Sequence, residues 1–576
     1  MKLWAPALCV AIGAFAFLSA CSQTQPVSAI PHLQKQGTAT QLIVDGKPFL
    51  MLAGELHNSS ASSLAYMQPI WPRLAAMHIN TVLPSVSWEL IEPEEGKFDF
   101  ALVDGLIRDA RTHNMRLVFL WFGSWKNGMS SYTPAWVKAN QDRFPRVQDS
   151  AGKGIEILST FSEQNRDADA RAFAALMRHI REVDGRQRTV VMMQVENEVG
   201  VLGDSRDRSE AANKAFAEPV PKELIDHLQK QRDALAPEFR KVWETAGSKT
   251  SGTWEQVFGK GPAADEVFMA WNYARYIDNV AAAGKKEYPL PMYVNAWLSG
   301  PDRKPGDWPS GGPLPHVMPV WQAGAPQIDF LAPDIYATNF TDWCTWFHQS
   351  GNPLFIPETS GATGAFNVFY AFGQHDAMGF APFAIDSLGI SPLAATRTEA
   401  ADLPLTKSYE ILSQLAPVIL ESQGKGVMAG VVVGAGDPPQ KVALGGYTLE
   451  VSYPRGRAPA PPAPAKPVAG AAPAPVPPAP AAPPQLPQRA AALFISMGPD
   501  EYLAAGSGPV SVTFSPNTPG PPIAGIAYID EGAYVNGRWT PGRRLNGDEN
   551  SQGKALRIGA LGRAGGIQRV KLYRYR

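Results

Sequence analysis

Residues 189–198 read Thr-Val-Val-Met-Met-Gln-Val-Glu-Asn-Glu, an apolar run that ends abruptly in Glu196, Asn197 and Glu198. The length and β-branched content of the run are typical of a strand covered on both faces, as in a parallel sheet. Acids at the end of such a strand lie at the edge of a core, where partial desolvation raises the pKa of a carboxyl group. Taken alone, the three polar residues also fit a helix cap or a surface salt-bridge cluster.

The same alternation of short apolar runs and helical stretches extends from about residue 48 to residue 387. Eight such runs occur, at residues 49–54, 81–88, 116–122, 189–198, 291–297, 328–336, 353–358 and 379–386. Eight strands with intervening helices imply an α/β fold of the closed (β/α)8 or TIM-barrel type, which we predict over residues 45–406. Residues 203–265 are a long charged insertion after the fourth strand, and we expect them to shape the substrate pocket or to add helices outside it.

A second domain is predicted at the C-terminus. After residue 406, short apolar runs alternate with Gly, Pro and Asp turns, which is typical of an all-β sandwich over residues 407–576. Residues 458–487 interrupt this pattern with 13 prolines and 11 alanines. Because so proline-rich a segment can neither pair as a central strand nor bury a core, we predict a disordered loop between two strands.

The first 20 residues have the pattern of a cleaved signal, with a positive charge at Lys2 and an apolar stretch over residues 3–17. Leu-Ser-Ala-Cys follows at residues 18–21 and resembles a bacterial lipobox. The resemblance implies an exported lipoprotein that is anchored to a membrane through a lipid on Cys21, with residues 21–44 as a tether. An ordinary secretory signal is the alternative. The formal net charge of −1 lacks the positive excess that is typical of nucleic-acid-binding proteins, so no nucleic-acid partner is expected. The sequence predicts no oligomeric state.

A second acid repeats the opening pattern, because residues 351–358 form an apolar run that ends in Glu358. Glu198 ends the fourth predicted strand and Glu358 ends the seventh, so the two face each other across the mouth of a closed barrel. Cleavage of a glycosidic bond requires two opposed carboxyl groups: one protonates the departing oxygen, and the other attacks the sugar or positions water. That chemistry needs no metal or other cofactor, and no His-x-x-x-His or Cys-x-x-Cys spacing occurs.

Several motifs resemble known enzymes. Asn197-Glu198 after strand four and Glu358 after strand seven are similar to clan A of the glycoside hydrolases. Within the clan, Gly-Glu-Leu-His at residues 54–57 and the stretches at residues 88–100 and 194–198 resemble family 35, the β-galactosidases. The turn Glu-Pro-x-x-Gly-x-Phe-Asp-Phe within the 88–100 stretch is shared with family 42, also β-galactosidases.

The resemblance implies a retaining exo-β-galactosidase that acts on oligosaccharides with terminal β-galactose, including those of plant cell walls. Glu198 would be the general acid/base and Glu358 the nucleophile that forms a covalent glycosyl-enzyme. Asn197 would bind the sugar 2-hydroxyl, and Tyr336 would hydrogen-bond the nucleophile and keep it ionised.

Five further residues are predicted to bind substrate. Glu55 follows the first strand, and Glu196 lies on the same side of an ideal strand as the acid, where it would touch hydroxyls or raise the pKa of the acid. Trp125, Lys126 and Asn127 stand where family 35 typically carries an Ala-Glu pair that binds galactose. This departure leaves a glucosidase, mannosidase or arabinosidase open, and a non-catalytic carbohydrate-binding lipoprotein is the alternative from another class.

Overall fold

A computed structural model describes residues 1, 30–391, 396–454, 488–535, 537–559 and 566–576. Cys21, the rest of the predicted signal after Met1, and the proline-rich segment 458–487 lie outside the described residues. Within the described part of the chain, no helix is long and apolar enough to cross a membrane.

The predicted barrel is confirmed. Eight parallel strand positions form one sheet that closes on itself, because the eighth strand pairs with the first. In chain order the strands are Met51–Glu55, Thr81–Leu83 with Ser85–Ser87, Arg116–Phe122, Val190–Val195, Met292–Trp297, Phe330–Ile335, Ile356–Thr359 and Gly379–Pro382. The second position is split in two at Pro84, which has no N–H to donate to a neighbouring strand.

Helices cover the outside of the barrel, and each buries one apolar face. In Glu163–Asp184, Ser162 caps the first turn by accepting from the Asn165 N–H at 3.2 Å, and Phe173 and Leu176 are fully buried. The other helices around the barrel are Leu64–Met67, Ile70–Ala76, Trp88–Ile91, Ala101–Thr112, Ala135–Lys138, Pro262–Glu287, Met318–Gly324, Phe340–Phe347, Gly361–His375 and Pro404–Ser422. The insertion after the fourth strand forms the helices Glu210–Ala217, Lys222–Lys230, Pro237–Thr245 and Trp254–Phe258.

The predicted N-terminal tether differs from the structure from residue 32 onward. His32–Gln36, Ala39–Val44 and Lys47–Phe49 form a three-stranded antiparallel sheet. Every residue of Ala39–Val44 is buried, and Leu42 and Val44 join the apolar cluster inside the barrel. The burial of this strand makes it part of the folded barrel, which corrects the expected tether over residues 32–44; residues 21–29 lie outside the described residues.

The expected border at residue 406 lies within the helix Pro404–Ser422. Tyr409 of this helix is fully buried, and its hydroxyl oxygen lies 2.8 Å from the carbonyl oxygens of Ala53 and Phe380. These carbonyls belong to the first and eighth barrel strands, and the Tyr534 N–H of the β-domain donates to Gln414 Oε1 of the same helix at 3.2 Å. The helix therefore contacts both the barrel and the β-domain, whose first strand is Met428–Gly434.

The C-terminal domain is a two-sheet β structure with its own apolar core. One sheet contains Met428–Gly434, Arg489–Gly498, Glu501–Ser507, Ile567–Tyr575, Ile523–Val535 and Arg538–Leu545, and the other contains Gln440–Leu444, Tyr447–Ser452, Val510–Pro516 and Leu556–Ile558. Helix Gly361–His375 of the barrel packs against the first sheet. A Cβ on Gly373 would lie 2.8 Å from the Ala429 carbonyl oxygen, so glycine permits this close approach.

Two small antiparallel sheets complete the fold. Arg146–Gln148 pairs with Gly154–Leu158 in the loop after the third barrel strand. Ile390–Ser391 pairs with Thr396–Arg397 after the eighth.

Candidate active site

The structure brings the two predicted catalytic acids together at the carboxyl ends of the barrel strands. Glu198 follows the fourth strand and Glu358 lies in the seventh, and their side chains are buried. A third acid, Asp334 at the end of the sixth strand, joins them, and carboxylate oxygens of all three lie within 4.8 Å of one another. The acids line a cavity of about 400 Å³, together with Asn127, Trp297, Leu298, Ser299, Gly300, Arg303, Tyr336 and Ala337.

The backbone after the fourth strand explains where its polar residues point. The strand ends at Val195, and both Glu196 (φ 63°) and Glu198 (φ 46°) are in the left-handed region, which is uncommon for residues other than glycine. The alternation of an ideal strand therefore ends before these residues. Glu196 turns away from the cavity and accepts the Ser124 N–H at 3.1 Å and the Trp125 N–H at 2.7 Å. The expected contact of Glu196 with sugar is corrected, because this carboxylate holds the loop after the third strand.

Of the three residues predicted after the third strand, two belong to the site. Trp125 is fully buried, donates its indole N–H to the Leu158 carbonyl oxygen at 3.2 Å, and does not line the cavity. Its ring packs edge to face on Tyr273 and Tyr276, so its expected role in binding substrate is corrected to core packing. Asn127 lines the cavity, and the ammonium group of Lys126 is close enough to lower the pKa of the neighbouring acids.

Four buried polar atoms in or beside the acid cluster have no hydrogen-bond partner among the described residues. They are Glu55 Oε1, Asn197 Nδ2, Asp334 Oδ1 and Glu358 Oε2. The other amide atom of Asn197, Oδ1, accepts the Asn127 N–H at 3.4 Å. Leaving a buried donor or acceptor unsatisfied is unfavourable by about 1 to 3 kcal/mol for each group. A ligand rich in hydroxyl groups, such as a sugar, or a proton shared between neighbouring carboxyl groups can supply the missing partners.

Burial and mutual repulsion set the protonation of the cluster. Burial and then the negative charge of Glu358 raise the pKa of Glu198 to about 7, and the Lys126 ammonium opposes this rise. The same two causes raise the pKa of Glu55 well above its ordinary value. Tyr336 donates a hydrogen bond from Oη to Glu358 Oε1 at 2.6 Å. Burial and the charge of Glu358 raise the pKa of Tyr336, so this phenol keeps the proton that it donates.

The sequence reasoning missed Asp334 and Asn295. Asn295, in the fifth strand, accepts the Glu198 N–H on Oδ1 at 3.0 Å and donates from Nδ2 to Asp334 Oδ2 at 2.6 Å. The signal for Asp334 was present, since it stands near the end of an apolar run as Glu198 and Glu358 do. Asn295 is a single amide within Tyr-Val-Asn-Ala-Trp and carries no comparable signal.

The acid cluster is also the ligand set that a hard divalent cation prefers, because Glu198, Asp334 and Glu358 offer oxygens within 4.8 Å. The Lys126 ammonium provides a competing positive charge in the same cluster. The geometry therefore admits a cation, and the presence of the lysine disfavours one.

Two family models match parts of the chain. Residues 66–276 match glycoside hydrolase family 42, described as "Beta-galactosidase", and residues 405–557 match a "Domain of unknown function (DUF5597)". The first match lies in the barrel and indicates a glycoside hydrolase domain that is family 42-like. The resemblance to family 35 stays a prediction.

Individual proteins are also similar to parts of this chain. A "Beta-galactosidase" of Xanthomonas manihotis is 28% identical over 181 residues, which are 30% of this chain and 27% of that protein. Among solved structures, β-galactosidase from Bacillus circulans sp. alkalophilus has 15% identity and a TM-score of 0.42, over 65% of this chain and 57% of its own. The β-galactosidase from Rahnella sp. R3 has 14% identity and a TM-score of 0.44, over 67% and 58%.

Proposed function

We propose that this protein is a retaining exo-β-galactosidase in which Glu198 is the general acid/base and Glu358 the nucleophile. The observation that carries the proposal is the approach of two buried carboxylates to within 4.8 Å at the mouth of the barrel. Retaining enzymes hold their two carboxyl groups about 5 to 5.5 Å apart, whereas inverting enzymes leave a wider gap for a water molecule. The short separation supports the retaining mechanism.

The two acids differ in their surroundings as the two roles require. Tyr336 donates to Glu358 Oε1, and no N–H or hydroxyl group of the described residues donates to Oε2, so we assign the attack to Oε2. Glu198 has a pKa of about 7 and holds its proton below that pH. In the first step Glu358 Oε2 bonds to the anomeric carbon, the glycosidic bond breaks, and the proton of Glu198 passes to the leaving oxygen. In the second step Glu198 takes a proton from water, whose oxygen displaces Glu358 from the sugar.

The pocket supports a small sugar and an exo mode of action. A cavity of about 400 Å³ is at the lower end of the range for small-molecule sites. Glu55 and Asn197 offer an unsatisfied acceptor and an unsatisfied donor to hydroxyl groups, and the partly exposed Trp297 ring offers an apolar face. Galactose as the sugar is supported by the family 42 match and by the name of the curated relative.

A panel of nitrophenyl glycosides tests the reaction and the sugar. We expect hydrolysis of the β-galactoside with retention of configuration. Proton NMR of the first-formed anomer of the released sugar measures the configuration. A faster reaction with the glucoside, mannoside or arabinoside would move the assignment to that sugar. Binding of galactosides without product release would contradict catalysis and favour the non-catalytic carbohydrate-binding lipoprotein.

A fluorinated galactoside that traps the covalent intermediate tests the nucleophile. Mass spectrometry of the digested protein is expected to find the label on Glu358. A label on Glu198 or on Asp334 would overturn the assignment of the nucleophile.

We also propose that the protein is exported and anchored to a membrane through a lipid on Cys21. The support is the Leu-Ser-Ala-Cys sequence at residues 18–21, after an apolar stretch. Metabolic labelling with a radioactive fatty acid is expected to mark the wild type and not Cys21→Ser. Equal labelling of both proteins, or none of either, would refute the anchor.

A further inference from the structure

The hydrogen bonds around Glu198 form a circuit through two neighbouring strands. The Glu198 backbone N–H donates to Asn295 Oδ1 at 3.0 Å, and Asn295 Nδ2 donates to Asp334 Oδ2 at 2.6 Å. Carboxyl oxygens of Asp334 and Glu198 lie within 4.8 Å of each other, and a hydrogen bond between the two side chains is one cause of the shifted pKa of each group. The circuit therefore starts at the backbone of Glu198 and returns to its side chain.

The direction of each bond in this circuit is fixed by chemistry. A backbone N–H can only donate, so the atom of Asn295 that faces it must be the amide oxygen. The amide nitrogen of Asn295 then faces Asp334 and can only donate, which makes Asp334 Oδ2 an acceptor. Asp334 Oδ1 is left as a buried oxygen that receives no donor among the described residues.

Two ionised carboxylates cannot hydrogen-bond each other, because each only accepts. One proton must therefore sit between Asp334 and Glu198 if the circuit is to close. The charged groups that raise the pKa of Asp334 are all acids: Glu358 on the next strand, Glu198 after the fourth strand, and Glu55 on the first. Among the described residues, Lys126 and Arg303 are cations near this cluster: the charge of Lys126 acts on Glu55 and Glu198, and Arg303 lines the same cavity. The phenol groups of Tyr293 and Tyr336 also face Asp334. Asp334 is also almost fully buried, and burial is the largest cause of its raised pKa.

We propose that Asp334 is a neutral carboxylic acid in the working enzyme and a positioning residue for Glu198, to which it donates a hydrogen bond from Oδ1. The proposal rests on the role of Glu198 as the acid/base. The proton stays on Asp334 throughout the reaction, and its hydrogen bond strengthens as Glu198 loses its own proton to the leaving group. A bond that strengthens in this way stabilises the transition state more than the ground state.

The circuit also accounts for the backbone of the acid. Glu198 has φ 46°, a conformation that side-chain-bearing residues adopt rarely and keep only where the surroundings hold them. Asn295 holds the backbone of Glu198 and Asp334 holds its carboxyl group, so the strained residue is fixed at both ends.

The pH profile of kcat/KM for substitutions at Asp334 tests the proposal. Asp334→Asn keeps a neutral group that can accept from Asn295 and donate to Glu198. We therefore expect the apparent pKa of the basic limb to stay within about 0.5 unit of the wild-type value. Asp334→Ala removes the donor, and we expect the apparent pKa of the basic limb to rise by about 1 to 2 units. A shift of this size corresponds to the loss of one hydrogen bond to a charged group. If Asp334 were ionised, Asp334→Asn would instead remove a negative charge and lower the apparent pKa of the basic limb by a unit or more. That result would overturn the proposal.

Two further measurements separate this role from general damage to the site. In a Glu198→Gln background, Asp334→Ala is expected to add less than a threefold loss of kcat/KM on an activated aryl galactoside, because the residue acts through Glu198. A full additional loss would show that Asp334 acts independently of Glu198.

The second measurement does not depend on activity. Infrared spectra are recorded at pH 9, and the spectrum of Asp334→Asn is subtracted from those of wild type and Glu198→Gln. Both difference spectra are expected to contain a protonated carboxylic acid band that Asp334→Asn lacks. A spectrum without that band in wild type would overturn the neutral state of Asp334. An inactive wild type that shows the band would overturn only the proposed function.

Discussion

Removing the acid at position 198 is predicted to stabilise the fold at alkaline pH. The pKa of Glu198 is raised from 4.5 to about 7 in the folded protein by burial and by the charge of Glu358. At 1.36 kcal/mol for each pKa unit, a rise of this size corresponds to about 3 kcal/mol. The folded state binds the proton more tightly, so the stabilising contribution is fully present below pH 4.5 and is lost as the pH rises through 7. Glu198→Gln lacks the ionisable group and escapes that loss.

Urea unfolding from pH 4 to pH 9 measures the effect. At pH 8 the free energy of unfolding of Glu198→Gln is expected to exceed that of wild type by up to about 3 kcal/mol, and at pH 4 the two should agree within about 0.5 kcal/mol. Glu421→Gln is the matched control, because Glu421 is exposed and should show no difference at either pH. Equal unfolding free energies of wild type and Glu198→Gln across the whole range would refute the claim that Glu198 is held in an unfavourable environment.

Four further predictions concern catalysis. The value of kcat/KM should fall tenfold per pH unit above about pH 7 as Glu198 ionises, and a flat profile to pH 9 would contradict its role as acid. Tyr336→Phe removes the 2.6 Å bond to Glu358 and should lower kcat/KM by about 10- to 150-fold, whereas Tyr66→Phe on the surface should not; a loss below threefold would contradict the contact. Glu198→Gln should lose orders of magnitude on galactosides with poor leaving groups and far less on activated aryl galactosides, and equal losses would refute the proton-donor role. Chelation with EDTA should leave activity unchanged, and a loss that a divalent cation restores would identify the three-acid cluster as a metal site.

The positions of the two principal acids could be predicted from the sequence because the carboxyl ends of parallel strands meet at one rim. An apolar run that ends in Glu198 and another that ends in Glu358 are enough to bring both to the same mouth, whatever the exact strand limits. Asp334 follows the same rule and could have been found with it. What the residues of one strand cannot show is the bond between strands, such as the one from Asn295 to Asp334.

Two incorrect expectations concern Glu196 and Trp125. The prediction for Glu196 assumed that strand alternation continues to the end of the run, but the backbone enters the left-handed region there, and periodicity in the sequence does not report φ. Glu196 turns away from the cavity, and its carboxylate accepts the N–H groups of Ser124 and Trp125. The Trp125 ring is buried against Tyr273 and Tyr276, which are far from it in the sequence.

Contacts between distant parts of the chain could not be predicted for a different reason. The border at residue 406 was drawn from a change in local sequence pattern, which contains no information on tertiary contacts. Tyr409 follows that border, and its hydroxyl contacts the carbonyl oxygen of Ala53, 356 positions earlier. No short window of sequence contains both partners.

The contacts of Tyr409 bear on how the chain is completed during synthesis. Its hydroxyl contacts the first and eighth strands at the seam where the barrel closes. A ribosome that has just released the eighth strand, Gly379–Pro382, has not yet released this tyrosine. Closing the seam requires contacts of very large sequence separation, which are the slowest to form. The seam between the first and eighth strands therefore gains these two contacts only after the helix Pro404–Ser422 has been synthesised.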